Sequence, residues 1–444
     1  MTSPSAPERR WSEAFAAGAA ERAGEPAWLE AARKSAIARF AELGVPTRRH
    51  EEWKYTSAER IARVPWRPAA PAALGSEALA ALALPLGDHP RIVFVNGRFA
   101  PALSRMDALP DGVTACAARA LWSTDGAWLE ERLALPAPLA DRAFAALAAA
   151  FAPDAAVVRV ARDVDAGALV VLFLAAPGAE AAVAPRLVVE AGPGSRLSLF
   201  ELHAGPAGDE PQLHDALTEI VVGENASVEH VRVQLAGAGA THLGHVAVRV
   251  ARDGRYASRA IELGAAIARL DLVTVLDGEG AEATLDGLYV AGDGQHSDNR
   301  TTVDHARPHG TSRELYKGVL SGRSRGVFNG KVIVRRDAQR TDAEQRNANL
   351  LLGGDSEVDS KPQLEIEADD VRCTHGSSIG QLEEDALFYL RARGLDAAAA
   401  RALLVRAFAG EILERVPDAA LREALVARVL AKLAAAGVAA EAAS

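Results

Sequence analysis

The 444-residue chain is 49% hydrophobic and 24% charged, a balance typical of folded soluble proteins, and is long enough for two to four domains rather than one core. Its formal net charge of -10 argues against general nucleic-acid binding, because phosphates need a basic face. Two cysteines, Cys116 and Cys373, with no CxxC, exclude a disulfide scaffold and a self-contained zinc or cluster cage.

The opening MTSPSAPERRW has no apolar signal core. From Pro26 to Leu43, the apolar positions Leu29, Ala32, Ala36, Phe40 and Leu43 recur at spacings of three and four, and Gly44 and Pro46 follow as a stop, which predicts an amphipathic helix. In the charged stretch RRHEEWKYTS (48 to 57), Trp53 and Tyr55 read as pins that hold a loop to its own domain, with a helix restarting near Ser57. A strand, RIVFVNGRF (91 to 99), precedes Ala-rich helical sequence around Trp128 to Phe151. The longest apolar run lies there, Ala143 to Ala152, far short of the ~20 residues that cross a bilayer. A mainly helical N-terminal domain over residues 1–152 and a cytoplasmic location, with no membrane partner, are expected.

From Val157 the texture changes to short runs of period two, such as Val246, Val248, Val250 and Leu364, Ile366, Ala368. Turn signals recur at EAGPGSRLSL, VVGENASVEHV, VARDGRYASRA and VLDGEGAEATL, around Gly192, Gly223, Gly254 and Gly278. A quasi-period of this kind suits stacked coils, a parallel β-helix, over a β-sandwich, because the Asn-Gly pairs that mark tight hairpins occur only at Asn96-Gly97 and Asn329-Gly330. The core is expected over 153–379. His296, His305 and His309 read as dispersed structural residues, and the basic run RRDAQR (335 to 340) as a solvated surface.

After Gln381 the period returns to helical. One helix covers Glu383 to Arg393 and ends at Gly394. Asp396 caps the next, whose stripe is Ala400, Leu404, Ala407, Phe408 and Ile412, and Pro417 and Asp418 break to a last helix. A helical C-terminal domain over 380–444 completes a mainly β fold with helical ends.

The stretch DDVRCTHG carries the candidate chemistry. On a strand, Val371, Cys373 and His375 share one face. The pair could be a nucleophile with its base, half of a metal site, or core packing. No GxxxxGK[ST] occurs, so the chain is not expected to hydrolyse ATP itself.

The run from DGLYVAGDGQHSDNRTTVDHARPHG through CTHGSSIG to FYLRARGLD, together with EEWKYTS near the N-terminus, resembles the SufB/SufD family of iron-sulfur cluster assembly proteins. Where SufB proteins carry a cysteine in a motif like FYCxQRG, this chain has Leu390, and its Cys-x-His-Gly motif is similar to the SufD branch. The resemblance implies a right-handed parallel β-helix between helical ends and a non-catalytic scaffold role. It also implies pairing with SufB through the β-helix, docking of the SufC ATPase through the C-terminal helices, and a homodimer when SufB is absent. It implies no permanently bound cofactor, but a transient iron-sulfur cluster at the SufB interface, with His375 and its neighbour Cys373 as candidate ligands. Leu390, Arg393, Asp396, Arg401, Leu404 and Phe408 are the candidate SufC-docking residues. The alternative reading is a polysaccharide-active β-helix enzyme, which the missing signal sequence counts against.

Overall fold

In a computed structural model that describes residues 6–435, successive long strands alternate between two sheets. Each strand pairs in parallel with the strand two places further along: Thr241–Val250 lies between Gln212–Val222 and Ile267–Leu276. The result is a β-solenoid whose two sheets face each other across a filled interior. Alternation builds that interior directly. Leu197, Leu199, Val246, Val248 and Leu285 point inward and are buried together.

The recurrent glycines have a packing reason. A Cβ on Gly223 would stand 2.8 Å from the Ala191 carbonyl oxygen, and one on Gly278 would stand 2.0 Å from the Arg252 amide nitrogen. Neighbouring coils therefore approach at their turns more closely than a side chain permits. Asn96 and Gly97, at φ 48° and 74°, turn Arg91–Val95 back onto Arg98–Phe99 as an antiparallel hairpin. Asn329-Gly330 is no hairpin. It lies within the strand Arg325–Val334, where a Cβ on Gly330 would meet the Gln345 amide at 2.2 Å.

Helices cover both outer faces. The N-terminal helices Ala27–Leu43 and Ala143–Phe151 bury Ile37, Phe40, Phe144 and Leu147 against Leu213, Leu217, Leu243 and Ala247 of one sheet. Gly44, at φ 66°, ends the first of these where the sequence predicts. The opposite sheet offers Val231, Ile261, Val290 and Val319 to the C-terminal helices Ala397–Leu413 and Ala419–Ala435. There the expected stripe is corrected: the buried file is Ala400, Val405, Ala409, Ile412 and Leu413, while Leu404 is half-buried and Ala407 exposed. This helix is apolar nearly all round, so periodicity alone does not fix its inner face. Among the described residues, no helix is long and apolar enough to cross a membrane.

Candidate functional site at the open end of the solenoid

The strand Arg372–Gly380 is the last of its sheet, and Glu357–Ile366 is the last of the other. Cys373 pairs with Ala343, His375 with Gln345, Ser377 with Asn347 and Ile379 with Asn349, and all four of these partners are buried inside the solenoid. The row containing Cys373 and His375 therefore points along the interior, as the alternation predicts. Among the described residues no further strand is laid over it, so His375 is exposed and Cys373 half-buried. Both last strands leave one edge of backbone donors and acceptors unpaired.

Cys373 sits at the rim of a small apolar cluster with Val332, Ala343 and Ala368. Burial raises its thiol above the ordinary range, and the Asp342 carboxylate adds to this against a hydrogen bond from the Ala343 amide. The thiol is protonated at neutral pH, so it is not an activated nucleophile. It becomes a ligand only when a metal displaces its proton. Among the described residues, no group of three His, Cys, Asp or Glu side chains is placed to hold a metal. The pair offers at most half of a coordination shell.

Around this end lie large exposed apolar side chains. Ile366 and Ile379 stand on the two last strands, and Phe388 (75% exposed) and Tyr389 on the helix Glu384–Ala392 that follows. Leu390 is half-buried on that helix. Arg393 lies 5.1 Å over the Tyr389 ring. Asp396 accepts from the Ala399 amide at 2.8 Å and so caps the next helix, as its position predicts. Arg401 is exposed, and Phe408 packs against the solenoid with the Lys317 ammonium 4.4 Å over its ring.

Two family descriptions match the chain. "SUF system FeS cluster assembly, SufBD core domain" covers residues 173–408, and "SufBD protein N-terminal region" covers 17–170. The chain belongs to the SufBD family. It is 32% identical over 402 residues to the iron-sulfur cluster assembly protein SufD of Escherichia coli, covering 88% of this chain and 90% of that one. A SufBD family protein of Synechocystis is also 32% identical, over 88% of each chain. A chloroplastic protein of Arabidopsis thaliana, ABCI7, matches at 32% over 54% of the chain and 50% of its own length. As a SufBD-family chain similar to SufD along most of its length, this is an iron-sulfur cluster assembly protein of the SUF system.

The other sequence candidates disperse. His296 holds Thr56 at 2.8 Å, the buried His305 bonds Ser312 at 2.9 Å, and His309 occupies an exposed turn at φ 61°. In the basic run, Arg335 grips Asp304 through two bonds of 2.8 and 2.6 Å on the surface.

What alternation misses is how polar the SufBD-family interior is. Burial alone would raise the Glu201 carboxyl, yet hydrogen bonds from His203 at 2.5 Å and His230 at 2.9 Å hold it well below the ordinary range. Arg232 reaches Glu262 at 2.7 Å and His242 at 2.6 Å. The signal was in FELHA and VEHVRVQ, where polar residues occupy inward positions of strands.

Proposed function

We propose that the chain is a non-catalytic scaffold subunit on which iron-sulfur clusters are built. In this reading its open end pairs with a SufB-type chain, its C-terminal helices dock a SufC-type ATPase, and a nascent cluster is held transiently at the shared edge. The observation that carries it is the inward row ending uncovered at Cys373 and His375, on a last strand whose outer edge has no partner among the described residues. Unpaired edges and exposed aromatic side chains favour strand addition from another chain. That chain would complete a shell which two ligands leave unfinished. The name SufD of the E. coli relative supports this assignment to a partnership within the SUF system.

Co-expression of the tagged chain with SufB and SufC from the same organism, followed by native mass spectrometry of the captured material, tests it. A complex containing this chain, SufB and SufC is expected. A monomer or homodimer that leaves both proteins uncaptured overturns the reading.

A further inference from the structure

Where the N-terminal helices Ala6–Ala17 and Ala143–Phe151 meet the early coils of the solenoid lies a cavity of about 1230 Å³, room for a molecule of drug size. Trp11, Leu147, Phe151, Ala182, Val183 and Leu213 give it a largely apolar wall. Most charged side chains of that wall are spent inside the protein. Arg33 and Glu25 form a buried pair at 2.9 Å, and Asp215 takes His245 at 3.1 Å. Asp154, which also acts on the Arg119 charge, accepts from the Arg119 and Ala155 amides. Three guanidinium groups differ. Arg22 lies 4.0 Å over the Phe15 ring and donates to the Phe15 carbonyl, and Arg119 lies 4.7 Å over Trp122. None of these contacts brings a carboxylate. Arg98 reaches Glu21 at 3.3 Å, but the side chain of that acid is 71% exposed, so water screens the pair. Burial lowers the Arg98 guanidinium below its ordinary value, and the neighbouring Arg119 charge adds to this against Glu21. Two like charges therefore stand together on the cavity wall, Arg119 exposed and Arg98 half-buried.

We propose that this cavity is a binding site for a small amphipathic anion, whose apolar body lies against Trp11, Leu147 and Leu213 and whose carboxylate, sulfonate or phosphate head is held by Arg98 and Arg119. The site is separate from the open end of the solenoid and stands without any reading of Cys373 and His375. Each half of such a ligand answers one half of the cavity. A small hydrophilic ion gains nothing from the apolar wall, which offers few groups to replace its hydration. A neutral apolar molecule fills the wall but leaves the adjacent guanidinium groups without a counter-charge. A cationic amphiphile is repelled by them. An oxyanion at the end of an apolar body accepts from both, because forked guanidinium donors match its geometry.

The probe is anilinonaphthalene sulfonate, which joins fused aromatic rings to a sulfonate, titrated into the full chain and followed by its blue-shifted emission. Phenylnaphthylamine, with the same rings and no sulfonate, is the neutral control. Arg119→Glu should weaken the sulfonate probe about tenfold or more and leave the neutral one within about twofold. Retained neutral binding shows that the cavity is still formed in that variant. Ala14→Trp, which places an indole at a half-buried wall position, should abolish binding of both probes. Dodecanoate and naphthyl phosphate, competed against the bound sulfonate probe, distinguish an aliphatic body from an aromatic one. Displacement by either supports the proposal, and displacement by neither overturns it. A sulfonate affinity that Arg119→Glu leaves unchanged, or that survives Ala14→Trp, places the probe elsewhere, such as against Phe388 and Tyr389, and overturns the proposal as well.

Discussion

Thr56 and Asp298, 242 positions apart in the chain, meet in a hydrogen bond of 2.5 Å from the hydroxyl to the carboxylate. The same carboxylate takes Arg269 Nη1 at 2.6 Å, and Arg269 in turn donates to the Glu52 carbonyl and lies 4.0 Å over the Trp53 ring. The EEWKYTS segment is therefore clamped onto the outside of the solenoid through fully buried charge. Removing the acid leaves the buried Arg300 without its carboxylate and Arg269 with Asp271 alone, in a dry site. Asp298→Ala should cost about 3–5 kcal/mol, whereas Thr56→Val, which removes only a hydrogen bond, should cost about 1 kcal/mol. Urea unfolding of the two variants checks the order, and equal losses would show that the clamp is not electrostatic.

Acid stability follows from the buried histidines. Burial lowers His214, His296 and His305 to about 4. Unfolded, each titrates near 6.5. Between those values the unfolded chain binds the additional protons, so this stability is complete above about pH 6.5 and is lost as the pH falls toward 4. Glu314 has the opposite sign: raised to about 7, it favours the folded state below about 4.5 and loses that contribution as the pH climbs to 7. Buried His203 and His242 shift the same way as His214, His296 and His305, and the other raised carboxyls, Asp154, Asp215, Glu219, Glu262 and Asp286, are each partly offset by a cationic or donor neighbour, so the histidines set the sign. The urea midpoint should rise from about pH 4.5 to about 6.5, and Glu314→Gln should make the rise steeper. A flat profile in the parent would mean that these histidines are not held neutral.

The solenoid was legible in the sequence because alternation and close-packed turns each leave a local mark, in Val246, Val248 and Val250 and in Gly223 and Gly278. The Cys373–His375 row was legible for the same reason. Its openness was legible as well, because the period turns helical after Gln381 and makes this strand the last of the solenoid. The clamp at Asp298 and the Glu201 network escaped. Their partners are far apart in sequence, and a polar residue at an inward strand position looks like an interruption of the pattern until its partner is placed.

The Ala397–Leu413 helix separates two neighbouring leucine-type positions. Ile412 is fully buried against the solenoid, and Leu404, two turns earlier, is half-exposed. Ile412→Ala should cost about 2–5 kcal/mol through the cavity it leaves, and Leu404→Asp should leave thermal unfolding nearly unchanged. If Leu404→Asp alone abolishes capture of a SufC-type ATPase, its face is the docking surface. Retained capture would assign docking elsewhere on the C-terminal helices.

The exposed end makes the ligand assignment separable from folding. His375 is exposed on the final strand, so His375→Ala removes neither a core contact nor a ladder bond, and its effect on stability should lie within about 0.5 kcal/mol. Cys373→Ser differs, because it places a hydroxyl in the apolar rim formed by Val332, Ala343 and Ala368 and should cost about 1 kcal/mol. Neither change touches Phe388, Tyr389 or the strand edges, so both variants should still assemble with SufB and SufC. Cells that depend on this chain for cluster supply should nevertheless lose activity of cluster-containing enzymes with His375→Ala, while the assembled complex is recovered in normal amount. Normal enzyme maturation in that variant would mean that the imidazole is not a ligand, and that the open end serves only to join the two chains.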